Sequence, residues 1–213
     1  MKYFYSFIHR LTKSLFNLFY HHKVYGKQHI PFGSCIIAPN HTSFFDPPLI
    51  GISCDEEISF LARGSLFHNH VLKKLISSLN SYPIRGTPQD SNSFKLIIHL
   101  LQENKKVVIF PEGQRSNDGR ILPIKPGIGM LVARCPCPII PVYIHGTYDA
   151  WPKTRKMPKL WGKTACVFGS PIYWEDYQDL PKKKAQEEIS NAIQKSLKML
   201  QVWYLNGTIG EPP

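Results

Sequence analysis

At 213 residues, of which 43% are hydrophobic and 19% charged, the chain is long enough for one well-covered core and too apolar for global disorder. No composition shift divides it, so a single folded domain is expected. Its 26 Lys and Arg against 15 Asp and Glu leave a formal charge of +11, which draws a protein toward phosphates on nucleic acid, anionic lipid or a phosphorylated substrate without choosing among them. The five cysteines are odd in number, scattered and preceded by no cleavable signal sequence, which suits a reducing compartment. Cys135 and Cys137 flank Pro136, but no second pair at metal spacing accompanies them, and no metal site is expected.

From Tyr3 to Tyr20, apolar residues at Phe4, Phe7, Ile8, Leu11, Leu15, Leu18 and Phe19 form one stripe of period 3.6. Arg10, Thr12, Lys13, Ser14 and Asn17 lie opposite. Arg10 and Lys13 near the middle would each cost about 2.5–3.5 kcal/mol at the centre of a bilayer, so the helix is not expected to span one. A basic polar face with an aromatic-rich apolar face suits the headgroup boundary, and a stripe this wide also suits the protein's own core. Residues 1–22 are read as an amphipathic membrane-associating helix ahead of a domain over 23–213.

A short apolar strand at Cys35–Ala38 ends at Pro39, and Pro47 and Pro48 suit the first turn of a helix running to about Cys54. Ile58–Ala62 reads as a strand, Leu66–Leu79 as a helix and Tyr82–Ile84 as a third strand. A buried helix starts at Ser91, and Val107–Phe110 is a strand apolar on both faces, closed by Pro111. A helix over about Gly127–Arg134, strands at Ile139–Ile144 and Thr164–Phe168, and a last helix from Lys182 to Tyr204 complete the pattern. This alternation predicts an α/β domain with a largely parallel central sheet flanked by helices, whose site lies in loops at the strands' carboxyl ends.

Two such loops carry chemistry. Asn40-His41-Thr42-Ser43-Phe44-Phe45-Asp46 places an imidazole and a carboxylate five positions apart directly after a buried strand. The imidazole can take a proton from an alcohol, while the carboxylate fixes its tautomer and stabilises the imidazolium. Neither Ser43 nor Ser116 sits in a G-x-S-x-G elbow, so the hydroxyl that His41 activates belongs to the substrate. The plainer alternative is that Asp46 caps the following helix. Phe110-Pro111-Glu112-Gly113-Gln114-Arg115-Ser116 joins a carboxylate, a flexible glycine, an arginine and a hydroxyl. Arg115 is a candidate bidentate phosphate clamp, Ser116 a further donor, and the amides around Gly113 candidate oxyanion partners. Glu112 would tether the arginine or an acceptor hydroxyl. Taken alone, the same segment also reads as a polar turn with an internal Glu–Arg pair.

Together the two segments resemble the glycerolipid acyltransferases, most closely those that act on 1-acylglycerol-3-phosphate (lysophosphatidate). NHTSFFDP is similar to that family's H-x-x-x-x-D block, FPEGQRS to its third block, with Gln114 where small residues are common, and Pro138-Ile139-Ile140-Pro141-Val142 to its fourth. The second block, Asn80-Ser81-Tyr82-Pro83-Ile84-Arg85, has asparagine in the place of the usual glycine, and Arg85 is its candidate phosphate ligand. Arg63 and Lys125 are further possible phosphate contacts or plain surface cations. The resemblance covers roughly Val24–Phe168. It implies transfer of a fatty acyl group from acyl-CoA or acyl carrier protein to the sn-2 hydroxyl of lysophosphatidate, with His41 as base, Asp46 as its orienting partner and no acyl-enzyme intermediate. It implies no cofactor beyond the thioester co-substrate, and a location on the cytoplasmic face of a membrane, peripheral or monotopic.

Other acceptors, glycerol-3-phosphate among them, fit the same residues. An esterase that directs His41 at water and a non-catalytic membrane-binding module remain the readings from other classes. No helix-turn-helix, zinc finger or RNP-type segment supports nucleic acid as a partner.

Overall fold

The computed structural model describes residues 3–84 and 91–213. Helix α1 (Tyr3–Tyr20) leads into a three-residue edge strand β1 (Lys23–Tyr25), then β2 (Cys35–Pro39), α2 (Asp46–Ser53) and β3 (Ile58–Arg63). There follow α3 (His70–Ser78), β4 (Ser81–Ile84), α4 (Ser91–Gln102), β5 (Lys106–Val108), α5 (Gly127–Val132) and β6 (Ile139–His145). The short α6 (Thr147–Ala150), β7 (Ala165–Phe168) and the long α7 (Lys182–Leu205) close the chain. The seven strands form one sheet in the order β1-β7-β6-β2-β5-β3-β4. All neighbours are parallel except β6 and β7, so the sheet is the largely parallel one expected.

The central strands are apolar throughout because both faces are covered. Along β2, Cys35 and Ile37 point to a layer formed by α1 and α2, where Phe16, Tyr20, Leu49 and Ile50 are buried. The alternate residues Ile36 and Ala38 pack against Leu100 of α4, Leu131 of α5, and Ile189, Ile193 and Leu197 of α7.

Several boundaries differ from the sequence reading. β1 was not foreseen, since three residues on a sheet edge carry too little alternation to register. The stretch 66–79 is two elements, a 3₁₀ turn at Gly64–Phe67 and then α3. Asn69 separates them by accepting the Val71 and Leu72 N–H groups on its side chain at 3.0 Å, which caps α3. β5 ends at Val108. Ile109 N–H still donates to Ile37 O (2.9 Å), but Phe110 has already turned out of the ladder toward the site.

Helix α1 packs on the core along one face only. Tyr5, Phe16 and Tyr20, none of them in the stripe read from the sequence, are buried, while Phe4, Phe7, Leu11, Leu15 and Leu18 of that stripe remain exposed beside them. The apolar arc is wider than the core can cover. No described helix is long and apolar enough to cross a membrane.

His22, just after α1, is wedged between layers. Ser53 Oγ donates to Leu49 O (2.7 Å), so it accepts from His22 Nε2 (2.9 Å), and His22 Nδ1 accepts from Thr164 Oγ1 (3.1 Å). Burial, helped by Lys13 and Lys27, depresses the imidazole to about 4. The neutral ring therefore contributes its full stability above the unfolded value near 6.5. That contribution, on the order of 2–3 kcal/mol, is lost as pH falls from 6.5 through 4, because the unfolded chain binds the proton first. Thermal unfolding of the wild type should weaken across this window more steeply than that of His22→Gln.

Candidate active site

β2 and β5 are parallel neighbours, so the two motif loops leave the sheet side by side at the same end. Asn40 pins the end of β2 to β6, its Oδ1 accepting from Ile144 N (2.7 Å) and its Nδ2 donating to Ile144 O (3.2 Å). The loops are then stitched to each other: His41 N donates to Glu112 Oε1 (2.8 Å), and Ser116 N donates to His41 O (2.8 Å).

Within the first loop, Asp46 is fully buried. Its Oδ2 accepts from His41 Nδ1, Thr42 N and Ser43 N, each at 2.7 Å, and its Oδ1 accepts from Thr147 Oγ1 at 2.6 Å. These bonds point back into the loop, and no side chain caps α2, so the helix-capping alternative is excluded. With Nδ1 donating to the carboxylate, Nε2 is the basic nitrogen. The His41 ring lies on Phe110, centroids 3.8 Å apart at 22°, and its side chain keeps 17% exposure, with no protein partner on Nε2 among the described residues.

The second loop is arranged differently from its sequence reading. Glu112 is buried and turned inward, its Oε2 accepting from Leu122 N (3.1 Å); it tethers backbone in both loops and makes no ion pair with Arg115. Burial pushes its carboxyl up to about 7, against the two N–H bonds that favour the charged form. Gly113 holds φ +70, a conformation that L side chains rarely adopt, at the point where Lys125 crosses the turn. The Gly113 amide itself donates to Phe110 O (3.0 Å), closing the turn and removing it as an oxyanion donor. Ser116 is likewise consumed locally, its hydroxyl donating to Asp118 Oδ1 (2.8 Å).

Arg115 stands apart. Its guanidinium lies 3.8 Å over the Phe44 ring and has no carboxylate partner among the described residues. Burial and then the like charge of Arg63, at the end of β3, hold it below the ordinary arginine value. Like charges near enough to act on one another, with no carboxylate paired to Arg115 among the described residues, suit the binding of an anion. Arg85 lies outside the described residues.

Three contributors were not singled out from sequence. Thr147 follows β6 and Gly146, whose φ of +78 brings it so close to Lys163 O that a side chain would clash. Trp151 O accepts from Ser43 Oγ (2.7 Å) and Phe44 N (3.2 Å), and its ring packs on Phe44 and Phe45. Lys153 Nζ donates to Arg115 O (3.0 Å). The site thus draws on the carboxyl ends of β6, β2, β5 and β3, as parallel sheets do.

Phe44 and Phe110, which carry Arg115 and His41, also line a cavity of about 330 Å³. It runs between α1, α2 and β3 past Tyr5, Ile8, Ile52 and Phe60, and its wall is almost entirely apolar.

The His41–Asp46 pair and Arg115 thus stand on two rings that border one apolar cavity. Residues 21–145 match the model of the family described as Acyltransferase, which is more than half of the chain, and the chain belongs to that family. It is 26% identical over 181 residues to the 1-acyl-sn-glycerol-3-phosphate acyltransferase of Bacillus subtilis, covering 84% of this chain and 87% of that one. It is also 26% identical over 195 residues to the chloroplastic enzyme BAT2 of Brassica napus, where it spans 56% of the relative's length. The crystal structure of the 1-acyl-sn-glycerophosphate acyltransferase PlsC from Thermotoga maritima superposes with a TM-score of 0.73 at 26% identity, over 91% of this chain and 80% of that one.

Proposed function

We propose that this acyltransferase moves a fatty acyl group from a thioester to the sn-2 hydroxyl of lysophosphatidate, forming phosphatidate at the cytoplasmic face of a membrane. The observation that carries the reading is that His41, held by Asp46, lies on Phe110 and Arg115 lies over Phe44, and both phenyl rings line the apolar cavity. His41 takes the proton of the acceptor hydroxyl as its oxygen attacks the thioester carbonyl. The tetrahedral intermediate collapses with cleavage of the C–S bond, and the imidazolium returns the proton to the leaving thiolate. Asp46 holds the ring and offsets the charge it gains, while the arginines fix the glycerol phosphate so that the hydroxyl reaches the carbonyl. An acyl chain fits the cavity. The exposed edge of α1, together with Val71 and Leu75 of α3, which share a surface groove with Phe4, would rest in the headgroup boundary.

Incubating the purified protein with lysophosphatidate and either acyl-CoA or acyl carrier protein thioester, then identifying products by mass, tests this reading and separates the two donors. Free fatty acid without phosphatidate would make the protein an esterase, and consumption of neither substrate would leave a binding module. Arg115→Ala should lower kcat/KM for lysophosphatidate by about 10–100-fold, the worth of one charge-assisted contact. It should leave an acceptor without the phosphate, monoacylglycerol, nearly unaffected. An equal loss on both acceptors would show that Arg115 does not hold the phosphate.

A further inference from the structure

The segment between α6 and β7 is uncommonly basic. Lys153, Arg155, Lys156, Lys159 and Lys163 fall within eleven residues, and no Asp or Glu occurs between Asp149 and Glu175. Large apolar side chains stand outward among these cations: Met157 is 73% exposed, Leu160 58% and Trp161 59%. Large apolar side chains gathered on one exposed loop mark an interaction surface.

The loop is built, not loose. Tyr20 Oη donates to Lys159 O (3.0 Å), Gly162 N donates to Phe19 O (3.0 Å), and Thr164 N donates to Tyr20 O (2.9 Å). Trp151 Nε1 donates to Arg155 O (3.1 Å), and Lys159 N donates to Ala150 O (2.8 Å). The Trp161 ring packs on Phe19 of α1 at 5.1 Å. The same loop begins at Trp151 and Lys153, which touch the catalytic loops.

We propose that Lys153–Lys163 is a second membrane-docking element, selective for anionic phospholipid, which with the exposed edge of α1 forms one continuous lipid-facing surface. It rests on the membrane-surface reading above. Met157, Leu160 and Trp161 enter below the headgroups while the lysines reach the phosphates on their flexible stems. Two rigidly joined contacts, α1 and a loop bonded to its last turn, fix the orientation of the site on the bilayer, where α1 alone would leave the domain free to roll about the helix axis.

The test compares four full-length proteins: wild type, Lys156→Gln/Lys159→Gln/Lys163→Gln, Met157→Ser/Leu160→Ser, and an α1 variant, Phe7→Ser/Leu11→Ser/Leu18→Ser. None of these side chains touches the catalytic groups. Binding is measured to phosphatidylcholine vesicles with and without phosphatidylglycerol, beside acyl transfer in detergent micelles. At about 1 kcal/mol per surface cation, the lysine variant should lose on the order of 100-fold in affinity for anionic vesicles, with little change on neutral ones and unaltered micellar activity. The Met157/Leu160 variant should weaken on both. Undiminished binding of both loop variants to anionic vesicles, with loss confined to the α1 variant, overturns the loop proposal and leaves the membrane reading standing. Failure of the wild type to bind any vesicle overturns both. If the lysine variant binds vesicles normally but shows a raised KM for acyl carrier protein thioester, the basic loop is a carrier-protein site and the lipid assignment is wrong.

Discussion

Replacing His41 by alanine should reduce acyl transfer by about 10²–10⁴-fold, the range for loss of a general base, in a protein that still folds. The two halves of this expectation have separate grounds. Among the described residues of the site, only the imidazole has one ring nitrogen without a protein partner and the other fixed by a carboxylate. The loop that carries it, in contrast, is held by main-chain bonds that the substitution leaves intact: His41 N to Glu112, Ser116 N to His41 O, and the Thr42 and Ser43 amides to Asp46. Asp46 keeps three of its four donors. Initial rates beside thermal unfolding separate chemistry from stability, and a folded variant with near-normal turnover would remove His41 from the mechanism.

Asp46→Asn should be nearly as damaging to kcat while changing stability little, and Asp46→Ala should damage both. In the asparagine variant the side-chain oxygen can take the place of Oδ2, accepting from His41, Thr42 and Ser43. Its NH₂ can then donate to Thr147 Oγ1, which turns its own hydrogen toward Thr42 Oγ1, 3.2 Å away. The network is preserved and only the negative charge is gone, so the imidazolium formed during attack loses its compensation. A drop of about 10²-fold or more in kcat with a modest change in KM is expected. Alanine instead leaves the buried Thr42 and Ser43 amides without their acceptor, each costing about 1–3 kcal/mol. Equal turnover of Asp46→Asn and wild type, in a variant of normal unfolding temperature, would show that the charge has no part in the reaction.

The parts of the site that could be read from sequence are those in which chemistry and neighbourhood coincide along the chain. His41 and Asp46 lie on one short turn after a run of buried residues, and the apolar runs at Ile36, Val107 and Ile139 reveal strands covered on both faces. Thr147 was invisible because its bond to Asp46 spans 101 positions, and a threonine after a glycine has no local mark of its role. Its position just past the end of a buried strand, on the same edge of the sheet, was the available clue. Glu112 misled for the opposite reason. Its nearness to Arg115 in sequence suggested an ion pair, but the left-handed turn at Gly113 sends the carboxylate into the protein and the guanidinium out over Phe44. Ser116 follows the same logic, since the turn that presents Arg115 also folds the hydroxyl back onto Asp118.

Helix α1 gives Tyr5, Ile8, His9 and Thr12 to the wall of the apolar cavity and Phe16 and Tyr20 to the main core. It is therefore not a detachable tether. Cutting it away to obtain a more tractable protein would unroof the apolar cavity and leave holes beneath the sheet. Repainting only its outward residues, Phe4, Phe7, Leu11, Leu15 and Leu18, would remove the exposed apolar edge with the architecture whole.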